Sequence, residues 1–342
     1  MSSLRALGPF RVPPIGLGCM GLSHAYGEPP EAKAAALVLL RALEHGVVHF
    51  DTAALYGFGR NESLLGEVLA SHRERILLAT KGGMTGRDGK RVIDGRPDAL
   101  VRDCEDSLRR LRTEAIDLYY LHRWDRAVPV EESVGALARL VEGGKVRAIG
   151  LSEVSAKTLR KAHAVHPVAA VQSEYSLWTR NPEVAVLDAC AELGIAFVAF
   201  SPLARGFLAD PGLDPRFFAE RDLRRNMPRF QEPDFPRNRE LVSGWMSLAR
   251  EAGCTGAQLA LAWLLRKSDC IHPIPGTTSI AHLEENLKAE HVALAPGLVE
   301  RMEQHINHGT ISGPRYNAAT QAEIDTEELA VDDSAGRRKH EA

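Results

Sequence analysis

The chain has 342 residues, 44% of them hydrophobic and 25% charged, with a formal net charge of −3. This is the composition of a globular protein with a large core, and it excludes a low-complexity or disordered chain. The charges are interspersed without a basic excess, which argues against a nucleic-acid partner, and no run of 18 apolar residues argues for a membrane span.

The chain opens "MSSLRALGPFRVPP", with no apolar run of signal-peptide type. Five cysteines, Cys19, Cys104, Cys190, Cys254 and Cys270, are widely spaced and form no CxxC pair. Free thiols in a reducing compartment follow, and with them the expectation of a soluble cytoplasmic protein.

Eight short apolar runs then recur along the chain: "PIGLGCMG", "VVHFDTA", "ILLATK", "IDLYYLH", "VRAIGLS", "AAVQSEYS", "AFVAFSPL" and "CIHPIPGT". Each reads as a buried strand. Amphipathic stretches alternate with them, from "PEAKAAALVLLRALEHG" to "AHLEENLKAE", with apolar residues at three- and four-residue steps. Several end in glycine, as at Gly46, Gly144 and Gly194, which is a helix stop. Strand–helix alternation implies parallel strands joined by right-handed crossovers. Eight such units predict one (β/α)8 TIM barrel, an α/β fold, over residues 1–316. Residues 205–236 form a Pro- and Arg-rich insertion after the seventh strand. Residues 317–342 form a tail that loses periodicity, and its last dozen residues are expected to be disordered.

Within the first strand, "IGLGCMGL" contains Gly16-x-Gly18-x-x-Gly21, the pattern of a dinucleotide-binding turn. That reading requires a helix to start at Gly21 and an acid about 20 residues later. Pro29-Pro30 delays the helix, and the first strand-terminal acid is Asp51, so the flanks contradict it. In a barrel, Gly18, Cys19 and Met20 would instead crown the first strand, where small residues let a ligand approach the backbone.

Barrel enzymes carry their chemistry at the C-terminal ends of strands. Here strand two ends in Asp51, followed by Tyr56 in "DTAALYG". Strand three ends in Lys81 and strand four in His122. Any one of these could be a cap, a solvated charge or a core side chain; four reactive types on adjacent strand ends suit carbonyl reduction. A free phenol, with a pKa of about 10, is too weak an acid at neutral pH. An ammonium from Lys81 would lower that pKa, Asp51 would keep Lys81 charged, and His122 would hydrogen-bond the carbonyl oxygen. A nicotinamide would supply the hydride.

The segments "DTAALYG…NESLLGEVL", "LLATKGG", "IDLYYLHRWD", "GKVRAIGLSE", "VQSEYSL", "FSPLARGFL" and "IPGTTSIAHLEENLKA" resemble the aldo-keto reductase superfamily, in order and spacing, from about residue 10 to 316. Several resemble the branch that includes perakine reductase and yeast pyridoxal reductase. The resemblance implies a catalytic tetrad of Asp51, Tyr56, Lys81 and His122 and reduction of aldehydes or ketones with NADP(H), or with NAD(H). It places the nicotinamide carboxamide on Ser152 and Gln172 and the ring on Phe200, with Asp51 and the first-strand residues also at the cofactor. Ser201, Pro202, Leu203 and Gly206 would wrap the pyrophosphate. Gly276, Thr277, Ser279 and His282 would meet the adenosine 2′-phosphate, and Glu285 and Asn286 the adenine; Thr277 and Ser279 read equally well as helix caps.

Three departures stand out against the family pattern. Gly276 replaces a common Lys, His282 a common Arg, and Glu153 a common Asn. The insertion could fold as a lid whose Arg205, Arg216 and Arg221 reach the phosphates, or serve as a solvated loop or subunit contact. Tyr26, Trp124 and Phe230 are candidates either for the substrate wall or for packing. Two other functions fit less of the pattern. One is a nicotinamide-binding regulatory subunit with little turnover, like a potassium-channel subunit that keeps the barrel and cofactor. The other is a metal-dependent hydrolase on Asp51 and His122, which lacks further ligands at strand ends.

Overall fold

The computed structural model describes residues 4–87 and 89–329. The chain begins with a hairpin of β1 (Arg5–Leu7) and β2 (Phe10–Val12). Eight parallel strands follow: β3 (Leu17–Gly18), β4 (His49–Asp51), β5 (Leu77–Gly82), β8 (Ile116–Leu121), β9 (Val146–Ser152), β10 (Val168–Glu174), β11 (Ala196–Phe200) and β12 (Ile271–Pro273). A second hairpin, β6 (Met84–Arg87) with β7 (Lys90–Ile93), projects after β5. The eight strands pair in chain order, and a parallel bridge between Gly18 and Gly276 joins the last to the first. Backbone bonds from Gly16 to Pro273 (3.0 Å) and from Gly18 to Pro275 (3.3 Å) complete the closure. The fold is the (β/α)8 barrel that the alternation implies.

Nearly every strand residue is buried, because one face packs inside the barrel and the other against helices. Small and medium side chains fill the interior, among them Ala79, Leu118, Ala148, Ala170, Ala196 and Val198. The first hairpin plugs its bottom: Leu7 and Val12 enter this cluster, and Arg5 donates to the carbonyls of Leu265, Ser268 and Ile271. Outside lie α1 (Ala32–Glu44), α2 (Arg60–Leu69), α3 (Pro97–Leu111), α4 (Val130–Glu142), α5 (Ala156–Val165), α6 (Val186–Leu193), α8 (Gly256–Lys267) and α9 (Ile280–Leu287). Gly194 ends α6 in the left-handed region at φ 68°, as a C-terminal glycine should.

The insertion after β11 folds as a chain of single 3₁₀ turns and then enters α7 (Asp234–Glu251). Phe207 stacks on Trp178 at 4.7 Å and on Phe230 at 4.6 Å, which anchors the insertion to the barrel top. Across the barrel mouth, Leu223 N donates to Ala25 O at 3.0 Å, joining the insertion to the loop after β3. After α10 (Pro296–His305) and the short α11 (Ala318–Gln321), residues 322–329 lie against the start of α5. There Asp325 accepts from the Ser155 amide and hydroxyl, and Glu327 accepts from the Ala156 amide at 2.6 Å. The expected disorder of the last dozen residues falls outside the described residues. Among the described residues, no helix is long and apolar enough to cross a membrane.

Candidate active site

A cavity of about 940 Å³ opens at the C-terminal ends of the strands, at the upper end of the size range for small-molecule sites. Asp51, at the end of β4, is 2% exposed and ion-pairs with Lys81, from the end of β5. The Lys81 ammonium also donates to Thr52 O at 2.8 Å and to the Tyr56 hydroxyl at 3.2 Å. Gln172 from β10 donates to the other Asp51 oxygen at 2.7 Å. Two carboxylate oxygens and three ammonium hydrogens thus find partners in the low-dielectric barrel, which a buried charge pair requires.

Tyr56 reaches this cluster because the chain turns sharply after it. Gly57, Phe58 and Gly59 all have positive φ, at 58°, 55° and 88°, before α2 begins. A Cβ at Gly59 would stand 2.8 Å from Arg110 Cδ, so glycine serves both the turn and the packing. Asn61 and Glu62, in the first turn of α2, fix the arrangement from behind. Asn61 accepts from Thr52 Oγ1 at 2.6 Å and donates to Cys19 O at 2.9 Å; Glu62 accepts from Thr80 Oγ1 at 2.6 Å and from Arg110. Both lie within the quoted "NESLLGEVL" segment, yet polarity at a helix start gives no sign that they are fully buried.

His122, at the end of β8, is 5% exposed, and its ring meets that of Tyr56 edge-on at 5.9 Å. Burial, with Arg123, Lys81 and Arg91 adding to it, holds the imidazole pKa well below the ordinary 6.5, so the ring is neutral. Its Nδ1 is buried without a hydrogen-bond partner among the described residues. Burial opposes the charge on Lys81, but Asp51 and Tyr56 overcome it and the ammonium pKa rises. Lys81 does lower the pKa of Tyr56, in the expected direction, but it is not the only group that acts on the phenol. Burial pushes the phenol above its ordinary pKa, Lys81 pulls it down, and Asp51 pushes it up again; burial is the largest of the three.

Most other residues singled out in the sequence open onto the same cavity: Gly18, Cys19, Met20, Tyr26, Ser152, Gln172, Phe200, Ser201, Pro202, Leu203, Gly206, Gly276, Thr277, His282, Glu285 and Asn286. Ser201, Ala204, Arg205 and Gly206 have φ values of 48°, 51°, 56° and 112°. Such a run of left-handed residues is a strained turn of the kind that gathers backbone N–H groups around an anion.

Several candidates stand elsewhere. Ser279 is not at the cavity: its hydroxyl caps α9 by accepting from His282 N, and Thr278 takes its place on the wall. Trp124 is also away from the cavity, with its indole N–H on Val128 O at 2.9 Å and its ring packed on the core. Phe230 is 5% exposed inside the aromatic stack. Arg216 pairs with Asp214 on the exposed surface, and Arg221 is likewise exposed and off the cavity wall. Arg205 does open onto the cavity, but its guanidinium is committed to Glu174 at 2.8 Å. Reactive loop residues could not be assigned a side of the loop from sequence alone, which is why these differ.

The aldo/keto reductase family model matches residues 14–307. The chain belongs to this family. It is 42% identical over 319 residues to an aldo-keto reductase of Schizosaccharomyces pombe whose name specifies NADP(+), covering 91% of this chain and 94% of that one. It superposes with a TM-score of 0.81 on a glycerol dehydrogenase of Gluconobacter oxydans, at 27% identity over 96% of this chain and 100% of that one. It also resembles an aldo/keto reductase of Klebsiella pneumoniae solved with NADP and acetate, at a TM-score of 0.70 and 26% identity, covering 95% and 99%.

Proposed function

We propose that this family member is an NADPH-dependent reductase of aldehydes and ketones, working in the soluble cytoplasm. One observation carries the reading: Lys81 binds Asp51 and the Tyr56 hydroxyl at once, beneath a cavity that Tyr56 and His122 face together. Because Tyr56 accepts from Lys81, its own hydrogen is left to be donated to a carbonyl oxygen. As negative charge grows on that oxygen, the proton leaves the phenol and the ammonium stabilises the phenolate. His122, neutral, donates a hydrogen bond to the same oxygen and orients the carbonyl. Asp51 keeps Lys81 charged and in place, as a positioning residue.

The cavity's donor set fits a nicotinamide dinucleotide. Gln172 uses its amide N–H₂ on Asp51, which leaves its carbonyl oxygen, with Ser152, for a carboxamide. Phe200 would lie under the ring, and the strained turn at Ser201, Leu203 and Gly206 would take the pyrophosphate. Gly276, Thr277, Thr278 and His282, at the start of α9, would take the 2′-phosphate, with Glu285 and Asn286 at the adenine. Bound there, the cofactor supplies the hydride that completes the reduction. The names of the S. pombe and K. pneumoniae relatives support NADP(H). The lack of Lys or Arg at positions 276 and 282 leads us to expect a moderate preference for NADPH over NADH.

Separate NADPH and NADH titrations, followed by a panel of carbonyls, test this reading. NADPH should be oxidised with 4-nitrobenzaldehyde, and NADH more slowly. Tight binding with slow cofactor release and no turnover across the panel would favour a regulatory subunit instead.

A further inference from the structure

Four arginines open onto the cavity: Arg91, Arg123, Arg205 and Arg224. Three have their charge answered by a carboxylate. Arg91 pairs with Glu323, Arg205 with Glu174 at 2.8 Å, and Arg224 with Asp222 at 2.7 Å. Arg123 has no carboxylate at ion-pair distance among the described residues. Its Nη1 alone is engaged, donating to His122 O at 2.7 Å and to Ser152 Oγ at 3.2 Å. Nε and Nη2 have no hydrogen-bond partner among the described residues.

The position of this cation matters as much as its lack of a partner. Arg123 follows His122 directly at the end of β8 and is half-buried. Its charge acts on both groups that face the carbonyl position, His122 and Tyr56. A half-desolvated guanidinium is costly to leave unpaired, and its fork matches the two oxygens of a carboxylate. The residues proposed for the cofactor's phosphates follow β11 and β12, whereas Arg123 follows β8 beside His122, and the charge of Arg91 is already paired.

We propose that Arg123 binds a carboxylate on the substrate, so that the preferred carbonyl compounds are oxo acids: aldehydes or ketones that carry a carboxylate. This rests on the carbonyl-reductase reading and specifies its substrate class. Arg123 is then a specificity-determining residue.

The test compares 4-carboxybenzaldehyde with 4-nitrobenzaldehyde, whose flat nitro group is a neutral counterpart of the carboxylate. The ratio of kcat/KM for the two is measured within each protein, so the intrinsic reactivity of each aldehyde cancels between proteins. Arg123→Gln should lower the ratio about tenfold or more, chiefly through KM of the acid, and Arg123→Lys should recover part of it. In the unmodified enzyme, higher ionic strength should lower the ratio too. An equal ratio in Arg123→Gln overturns the proposal. So does a change confined to NADPH affinity, which would assign the cation to the nucleotide. If the variants do not fold, the unmodified protein loaded with NADP⁺ still decides: benzoate should bind at least about tenfold tighter than benzamide, and equal binding overturns the proposal. Failure to reduce either aldehyde would count against the carbonyl-reductase reading, while benzoate binding would still report on Arg123.

Discussion

Lys81 donates to the Tyr56 hydroxyl at 3.2 Å from a side chain only 1% exposed, and the same ammonium is ion-paired to Asp51. The charge that should ease proton loss from the phenol is therefore held in place by a carboxylate beneath it. Burial and Asp51 together raise the phenol pKa more than Lys81 lowers it in the resting site. The ammonium's contribution is thus to stabilise the phenolate as it forms, rather than to ionise the phenol beforehand.

Lys81→Met removes that charge and keeps most of the volume. Turnover should fall on the order of 10²- to 10⁴-fold, the usual worth of a positioned acid and its support. Asp51 is left buried with Gln172 as its remaining hydrogen-bond donor, so stability should also fall, by about 3–5 kcal/mol. Steady-state kinetics and thermal melts of the same preparation read both effects. A variant that keeps full turnover would contradict the role given to Lys81.

Arg315 is a second buried charge on which structure depends. It ion-pairs with Glu153 and, at 3.1 Å, with Glu174, and all three are buried. Burial opposes the charge on Glu174, but Arg205, Arg315 and Arg229 outweigh it and hold its pKa to about 2. Arg315→Met should cost about 3–5 kcal/mol, because it leaves Glu153 without a cation and Glu174 with one fewer. Differential scanning calorimetry checks this; an unchanged Tm would show that the pairs contribute nothing net.

Acid should destabilise the fold through two histidines in the barrel. Burial lowers the pKa of His49 to about 3 and of His272 to about 4, from an ordinary 6.5. The unfolded chain therefore binds these protons first. Their contribution is complete above pH 6.5 and is lost as pH falls toward the folded values. His272 Nε2 faces Ala6 O at 2.9 Å, tying β12 to the hairpin below. His272→Gln can retain a donor while removing the titration. Its Tm should fall less steeply than that of the unmodified protein between pH 6.5 and 4. Parallel curves would remove His272 from this account.

The barrel was legible because each strand is buried on both faces and so reads as an unbroken apolar run, set between helices of 3.6-residue period. The juxtaposition of Tyr56 and Lys81 was legible for the same reason: strand ends share one rim. The two hairpins were not, since their strands are partly exposed and carry charges, as at Arg5, Arg11, Lys90 and Arg91, and so make no apolar run. Ser279, Trp124 and Phe230 show the limit at loops, where a hydroxyl or ring serves a cap or a core as readily as a ligand. Arg123 was missed because its distinguishing feature is a partner it lacks. Residues 322–329 lost periodicity because side-chain and backbone hydrogen bonds to α5, rather than a packed helical face, hold much of the segment in place.

The most direct test of the central claim is turnover and cofactor binding measured together in Tyr56→Phe. The substitution deletes the hydroxyl and little else. NADPH affinity should stay near that of the unmodified protein, while reduction of 4-nitrobenzaldehyde falls on the order of 10²- to 10⁴-fold. Reduction at an unchanged rate would contradict the assignment of Tyr56 as the acid, and with it the reason for Lys81 and Asp51 beneath it.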